Sequence, residues 1–341
     1  MEPSHDTDAL AALGTEFTGT APNAVIALKG DASDRRIYRL VYSSQSLIGV
    51  VGPNVAENRA FIGFARSFRA AGLHVPEVYR VSEHEQAYLQ EDLGDALFSD
   101  WQRTHTTAEG VDGEAMALYG IVLQELLRFQ HDAASAVDYS LCYQTREFST
   151  EAMLFDIRYF RDNFLARLAE VPWDERRFMA DCNLLVEMLC REPRNGFLYR
   201  DFQSRNVMLR DGTPWFIDFQ SGRKGAPQYD LASMLYDSKG GLTTAQRETL
   251  IDQYIAGLRS RYDVDEVVFR RRFAGFAVLR LMQALGAFAN LGLNKGKPTY
   301  LEFIPSRLST MREVVSSAVI LDEVPYLRGL LLRCGDGGDS E

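Results

Sequence analysis

Between Asn206 and Asp218 the chain reads Val-Met-Leu, Arg-Asp-Gly-Thr-Pro, Trp-Phe-Ile, and no other segment constrains the fold as strongly. Val207-Met208-Leu209 and Trp215-Phe216-Ile217 are short apolar runs rich in strand formers. Arg210-Asp211-Gly212-Thr213-Pro214 between them carries an Asp-Gly turn signal, which predicts a hairpin. Pairing the two runs about Gly212 sets Asn206, just before the first strand, beside Asp218, just after the second. A carboxylate and an amide oxygen then converge at one open end. Asp201, five residues before Asn206 in the loop Tyr199-Arg200-Asp201-Phe202-Gln203-Ser204-Arg205-Asn206, is left facing whatever enters.

Taken singly, Asp and Asn in loops are turn and cap formers. The combination of D-x-x-x-x-N, a hairpin and a hydrophobic D-F is far more specific. Hard oxygen ligands in low number suit Mg²⁺, which keeps waters and substrate phosphates in its remaining positions. In the protein-kinase template for phosphoryl transfer, an Asp of the catalytic loop orients the hydroxyl and finally accepts its proton. An Asn holds a metal, and a later Asp holds the metals that bridge the phosphates. Asp201 is the candidate for the first role, and Asn206 and Asp218 are the candidate metal ligands.

With 46% hydrophobic and 25% charged residues, the 341-residue chain has ordinary globular composition and room for two lobes. A net charge of −10 without a Lys/Arg block argues against a nucleic-acid partner. Cys142, Cys182, Cys190 and Cys334 show neither C-x-x-C nor a framework spacing, which fits a reducing cytosol and not a cysteine metal site. No apolar run approaches ~18 residues and the N-terminus is acidic and polar, so neither a membrane span nor a secretory signal is expected. The expected location is cytoplasmic.

The first ninety residues read as a small sheet with one helix. Strand-like runs lie at 24–28, 37–42, 47–51, 75–81 and 87–90, and an amphipathic helix runs from Val55 to Ala71 with Phe61, Phe64, Ala65 and Phe68 on one face and Gly72 as its stop. Gln90-Glu91-Asp92-Leu93-Gly94-Asp95 reads as a hinge. Beyond it helices dominate, with apolar stripes such as Leu118, Ile121, Val122, Leu126, Phe129, or Met153, Ile157, Phe160, Phe164, Leu168. Further stripes follow at Phe178, Cys182, Leu185, Leu189, at Leu250 to Leu258, and from Phe269 towards Leu291. The expected fold is α+β with two unequal lobes, residues 1–91 and 92–334, and residues 335–341 form a disordered tail.

At the level of motifs, Asp201 to Asn206 with Asp218 resembles the aminoglycoside phosphotransferase and choline kinase superfamily, which shares the protein-kinase-like fold and phosphorylates small molecules. Gly30-Asp31-Ala32-Ser33-Asp34-Arg35-Arg36-Ile37-Tyr38-Arg39-Leu40, Gly72-Leu73-His74-Val75-Pro76-Glu77-Val78, Gln90 to Asp95, Asp218-Phe219-Gln220, Tyr229-Asp230-Leu231-Ala232-Ser233 and Leu281 to Phe288 are similar to the anomeric kinases of N-acetylmuramate and N-acetylglucosamine. The resemblance spans about residues 30 to 310. It implies transfer of the ATP γ-phosphate, with Mg²⁺, to the C1 hydroxyl of an N-acetylated hexose, giving a sugar 1-phosphate. An anomeric hydroxyl is more acidic than an ordinary alcohol, so a carboxylate of normal pKa suffices as its late proton acceptor.

The same resemblance implies that the loop bearing Ser33, Asp34, Arg35 and Arg36 covers the nucleotide phosphates. It implies that Gln90, Glu91, Asp92 and Leu93 present hinge backbone to adenine, and that Asp230 braces the catalytic loop. Gln203, Arg205, Gln220 and Arg223 are candidates for contact with phosphate or acceptor. Two departures stand out. Tyr199 occupies the position where the pattern usually has His, and no Lys stands in Leu47 to Gly52, the strand expected to carry the phosphate-pairing lysine, so Arg35, Arg36 or Lys29 must substitute. The alternatives are a kinase of another small hydroxyl compound, such as an aminoglycoside or amino alcohol, and a nucleotide-binding pseudokinase acting as an interaction module. A polycationic acceptor would require a dense acidic wall.

Overall fold

The computed structural model describes residues 3–28 and 34–335. Five strands, β1 (Ala24–Leu28), β2 (Arg36–Val41), β3 (Ser46–Val51), β4 (Val78–Val81) and β5 (Ala87–Glu91), form one antiparallel sheet in the order β1-β2-β3-β5-β4. Each was expected within a few residues. The sheet carries two helices, not the single one expected. Helix α2 (Val55–Ala70) packs Phe61, Phe64, Ala65 and Phe68 into the main core, as its stripe predicted. Helix α1 (Pro3–Thr18) covers the opposite face, where Leu10 and Leu13 meet Tyr38, Leu40, Leu47, Val51 and Leu89.

A sheet covered on both faces explains why β3 is an unbroken apolar run: Ile48 and Val50 join the main core, while Leu47 and Val51 join the cluster beneath α1. Gly49 lets α1 lie close, since a Cβ there would sit 2.8 Å from Leu10 Cδ2. The N-terminal helix was missed because its polar first turn precedes a short stripe of three large apolar residues, Leu10, Leu13 and Phe17.

After the hinge the chain is mainly helical around Glu266–Asn294, a 29-residue helix that packs against Thr150–Phe160, Pro227–Leu235 and Ile304–Ser317. Among the described residues it is the one helix long and apolar enough to cross a membrane by length and composition, contrary to the expectation that no run would qualify. Of its most apolar window, 61% is buried inside the fold, as suits a central core helix. The predicted stripes are buried with few exceptions; Ile121 is 50% exposed. Residues 29–33 and 336–341 lie outside the described residues, and with them Lys29, Ser33 and all but the first residue of the expected tail.

Candidate active site

The hairpin forms as its sequence dictates. Val207–Arg210 pairs with Thr213–Phe216, Val207 opposite Phe216 and Arg210 opposite Thr213. Asp211 and Gly212 make the turn with φ of 51° and 75°, the pair of left-handed residues that a two-residue hairpin of matching twist requires. Ile217 N donates to Asn206 O at 3.0 Å, so the chains part there. Asp218, one residue further, has φ of 68°. Asn206 Nδ2 donates to Asp201 O at 2.8 Å and approaches Asp218 Oδ2 at 3.4 Å. The three residues singled out from the motif therefore meet, and Asn206 Oδ1, the atom type a hard cation takes, accepts no hydrogen bond among the described residues.

Arg200 and Asp218 are both non-glycine residues with positive φ, Arg200 at 80°. Such conformations cost on the order of 1–3 kcal/mol each and persist only where the surroundings hold them. At Arg200 the hold comes from Asp230, accepting from Tyr199 N at 2.7 Å and Arg200 N at 2.9 Å, while Gln130 Nε2 donates to the same carboxylate at 3.3 Å. Burial pushes its carboxyl up to about 7, against the opposing pull of those donors. The Arg200 guanidinium donates to Asp156 at 2.8 Å and to Tyr229, and lies over the Phe148 and Tyr229 rings. Tyr199 is fully buried and donates to Ile217 O at 2.6 Å, tying the loop of Asp201 to the segment of Asp218. Tyr199 thus packs and hydrogen-bonds beneath the Asp218 segment.

On the sheet side, the cation missing from β3 arrives from its neighbour. Arg36 pairs with Val51 in the β2–β3 ladder, so Arg35 stands at the far end of β3. Its guanidinium donates to Asp218 Oδ1, and its Nε lies 3.4 Å from Glu57 Oε1 on α2. Asn54 caps α2 by accepting from Glu57 N at 3.3 Å, which fixes where Glu57 begins. Gln220 Nε2 bridges the same group, 2.9 Å from Asp218 Oδ1 and 3.4 Å from Glu57 Oε1, while its buried Oε1 has no partner among the described residues. Burial pushes the Asp218 carboxyl up, but the Arg35 charge, the Gln220 amide and Arg205 outweigh it, and the net shift is down. A carboxylate held ionised beside an uncommitted amide oxygen fits Mg²⁺. Phe219 stacks on Phe61 of α2 with centroids 4.7 Å apart, which locks the helix of Glu57 to the segment of Asp218.

Adjacent Arg36 turns the other way. It donates to Asp6 of α1, whose buried carboxylate also accepts from Tyr38 at 3.0 Å. Alternation along a strand sends successive side chains to opposite faces, so Arg35 and Arg36 part here. Asp34 is exposed. At the hinge, the Asp92 carboxylate is held by Arg39 at 2.6 and 3.1 Å, Glu91 pairs with Arg210 at 2.6 Å, Leu93 is buried, and Gln90 Oε1 is buried without a partner among the described residues. The Asp92 and Glu91 side chains are thus engaged within the protein.

Two cavities open on Asp201 and share Gln283 as a wall. The larger, about 680 Å³, is lined by Asp156, Tyr159, Arg200 and Arg223. Arg223 is buried and engages Ser221 O at 2.9 and 3.1 Å, Thr145 Oγ1 at 2.9 Å and Gln144 Oε1. Burial, and then the charge of Arg200, lower its pKa. The smaller, about 380 Å³, is lined by Gln203, Arg205, Arg280, Arg307 and the rings of Tyr236, Phe288, Tyr300 and Phe303. Asp156, Arg280 and Arg307 escaped sequence reasoning. A lone Arg inside Val278-Leu279-Arg280-Leu281-Met282 was the available signal, since a charge in an apolar helix stripe is rarely idle.

A family model described as a phosphotransferase enzyme family matches residues 24–264. The chain belongs to this family. Among curated relatives of this phosphotransferase, the N-acetylmuramate/N-acetylglucosamine kinase of Pseudomonas aeruginosa is 26% identical over 316 residues, covering 90% of this chain and 88% of that one. The kinase of the same name from Neisseria meningitidis is 27% identical over 297 residues, 83% of each chain. Solved structures share the fold: choline kinase from Cryptosporidium parvum, at a TM-score of 0.65 and 9% identity, covers 95% of this chain and 99% of its own. A choline/ethanolamine kinase family protein from Mesorhizobium loti, at 0.62 and 16% identity, covers 96% and 100%. The two-lobe kinase-like fold inferred from the motifs is the fold this phosphotransferase has.

Proposed function

We propose that the chain is a Mg²⁺- and ATP-dependent kinase that phosphorylates the anomeric hydroxyl of an N-acetylated amino sugar, the acceptor class carried in the names of the relatives above. The observation that carries the acceptor side of this reading is the charge around Asp201. Arg200, Arg223, Arg280 and Arg307 lie in the two cavity walls, where arginine and lysine outnumber the carboxylates of Glu151, Asp156, Asp201, Asp237 and Glu302. Asp156 is paired with Arg200, and Asp237 accepts from Ser204 N at 2.9 Å and Ser204 Oγ at 2.6 Å. Such walls repel the polycationic aminoglycosides and quaternary amines taken by other members of the fold.

In this mechanism Asp201 faces O1 of the sugar. The O1–P bond forms as the bond between the γ-phosphorus and the β–γ bridging oxygen breaks. The O1 proton passes late to the Asp201 carboxylate and then to solvent, and ADP leaves with the bridging oxygen. Asn206 Oδ1 and the Asp218 carboxylate hold Mg²⁺, which when bound neutralises the charge of the transferring phosphoryl group. Arg35, steadied by Glu57, takes the role of the absent strand lysine. With Mg²⁺ bound between Asn206 and Asp218, the Arg35 guanidinium beside them would supply positive charge to the α- and β-phosphates. Asp230 acts through the backbone, holding Arg200 and thereby Asp201 in place.

The test is ADP release with Mg-ATP and a panel of N-acetylmuramate, N-acetylglucosamine, other hexoses, choline and kanamycin, with the product's phosphate position read by phosphorus NMR. Turnover of an N-acetylated sugar to the 1-phosphate is expected. Turnover of choline or kanamycin alone would replace this reading with the amino-alcohol or aminoglycoside one, and nucleotide binding with no turnover would favour a binding module.

A further inference from the structure

The smaller cavity beside Asp201 has an unusual make-up for a pocket facing a catalytic-type carboxylate. One side is apolar: Phe288, Tyr300 and Phe303 form a ring cluster with centroids 5.6–6.1 Å apart. Its other side holds two cations that the fold has buried without a carboxylate. Arg280, 9% exposed, donates Nε to Ser233 Oγ at 3.0 Å and Nη1 to Gln283 Oε1 at 2.8 Å. Arg307, 4% exposed, donates Nη1 to Tyr236 O, and its buried Nε has no hydrogen-bond partner. Among the described residues neither forms an ion pair. Asp237, whose charge favours the Arg307 cation, accepts from Ser204, and Glu302 on the cavity lining is exposed.

A buried guanidinium whose donors meet only neutral oxygens, or nothing, is costly unless an anion arrives to complete it. Burial, with Arg280 close by, pushes the Arg307 pKa down to about 10, so the group is still a cation at neutral pH. The larger cavity differs. There Arg200 is neutralised by Asp156, and every Arg223 nitrogen already donates to an oxygen.

We propose that Arg280 and Arg307 form a carboxylate subsite, so that the preferred acceptor is an N-acylated hexose bearing a carboxylate substituent, its apolar face and acyl methyl lying on Phe288, Tyr300 and Phe303. This rests on the sugar-kinase reading and names which sugar the site is built for. Planar two-pronged donation by guanidinium suits a carboxylate, and charge-assisted hydrogen bonds of this kind are worth roughly 10- to 100-fold in affinity.

The experiment measures kcat and KM with Mg-ATP for N-acetylmuramate, for the uncharged carboxamide of N-acetylmuramate, and for N-acetylglucosamine. The wild-type protein is expected to show a KM at least about tenfold lower for the acid than for its carboxamide, with little change in kcat. In Arg307→Gln the ratio of acid to carboxamide should collapse towards one, and Arg307→Lys should recover part of it. Thermal unfolding and Mg-ATP binding report whether each variant is folded, and the wild-type comparison of acid with carboxamide stands even if a variant is not. Equal KM values for acid and carboxamide in the wild type, with both turned over, would overturn the subsite and leave the sugar-kinase reading intact. No turnover of any of the three sugars would overturn both.

Discussion

The side of the cleft proposed for the donor and the side proposed for the acceptor both carry buried arginine, yet they hold it differently. On the donor side Arg35 is closed on two carboxylates, Glu57 and Asp218, with Gln220 joining them. On the acceptor side Arg280 and Arg307 are held by a hydroxyl, an amide and a carbonyl oxygen, with no carboxylate among the described residues. A cation with an exchangeable internal partner can release it when the partner finds a metal. One held by neutral groups keeps its unsatisfied charge for a substrate. The contrast teaches that the proposed donor half is self-neutralised until loaded, whereas the proposed acceptor half is completed only by what binds.

The sharpest way to break this comparison is at the group between the halves. Asp201→Asn is expected to lower kcat by ~10²–10⁴-fold while Mg-ATP affinity, measured by calorimetry, stays within a few-fold. A variant keeping more than about a tenth of the rate would remove Asp201 from its role. Asp218→Ala should by contrast lose both rate and Mg-ATP affinity, since it removes a metal ligand and the partner of Arg35.

A smaller effect tests the exchange directly. Arg35→Ala should raise the KM for ATP by roughly 10- to 100-fold, the worth of a charge-assisted phosphate contact, with the acceptor KM little changed. Arg35→Lys should recover much of the loss. An unchanged ATP KM in Arg35→Ala would leave the arginine a purely structural tie. The neighbouring substitution Arg36→Ala sharpens the point: it should cost stability, roughly 1–3 kcal/mol from leaving the buried Asp6 carboxylate without its cation, and leave both KM values alone.

The smallest effect concerns the brace beneath both halves. The Asp230 carboxyl is raised from an ordinary 3.8 to about 7 by burial. The native chain then keeps a proton that the unfolded chain releases, so this group's contribution to stability is complete below about pH 4 and is lost as pH rises through about 7. Relative to Asp230→Asn, the wild-type melting temperature should therefore decline between pH 4 and 7. Parallel curves for the two proteins would show that Asp230 is ionised throughout.

Local structure was legible where its causes are local. The Asp211-Gly212 turn and the two flanking runs specify a hairpin by short-range sterics and pairing, and the stripe on α2 marks its buried face. Helix α1 was illegible because its burial depends on a sheet formed later in the chain. That Arg35 and Arg36 point apart follows from strand alternation, but which one faces the cleft depends on the position of α1 and of Asp218. The pairing of Arg280 with Arg307 was illegible because the two lie on different helices.

By itself, then, the sequence determined that Asp201, Asn206 and Asp218 would be neighbours, because a short loop and a two-residue turn leave their backbones no other arrangement. What stands opposite them was decided only by tertiary structure. Arg35 with Glu57 on one side, Arg280 with Arg307 on the other, and the left-handed backbone at Arg200 and Asp218 all depend on segments far apart in the chain, whose meeting is set by packing of the core and not by any local preference.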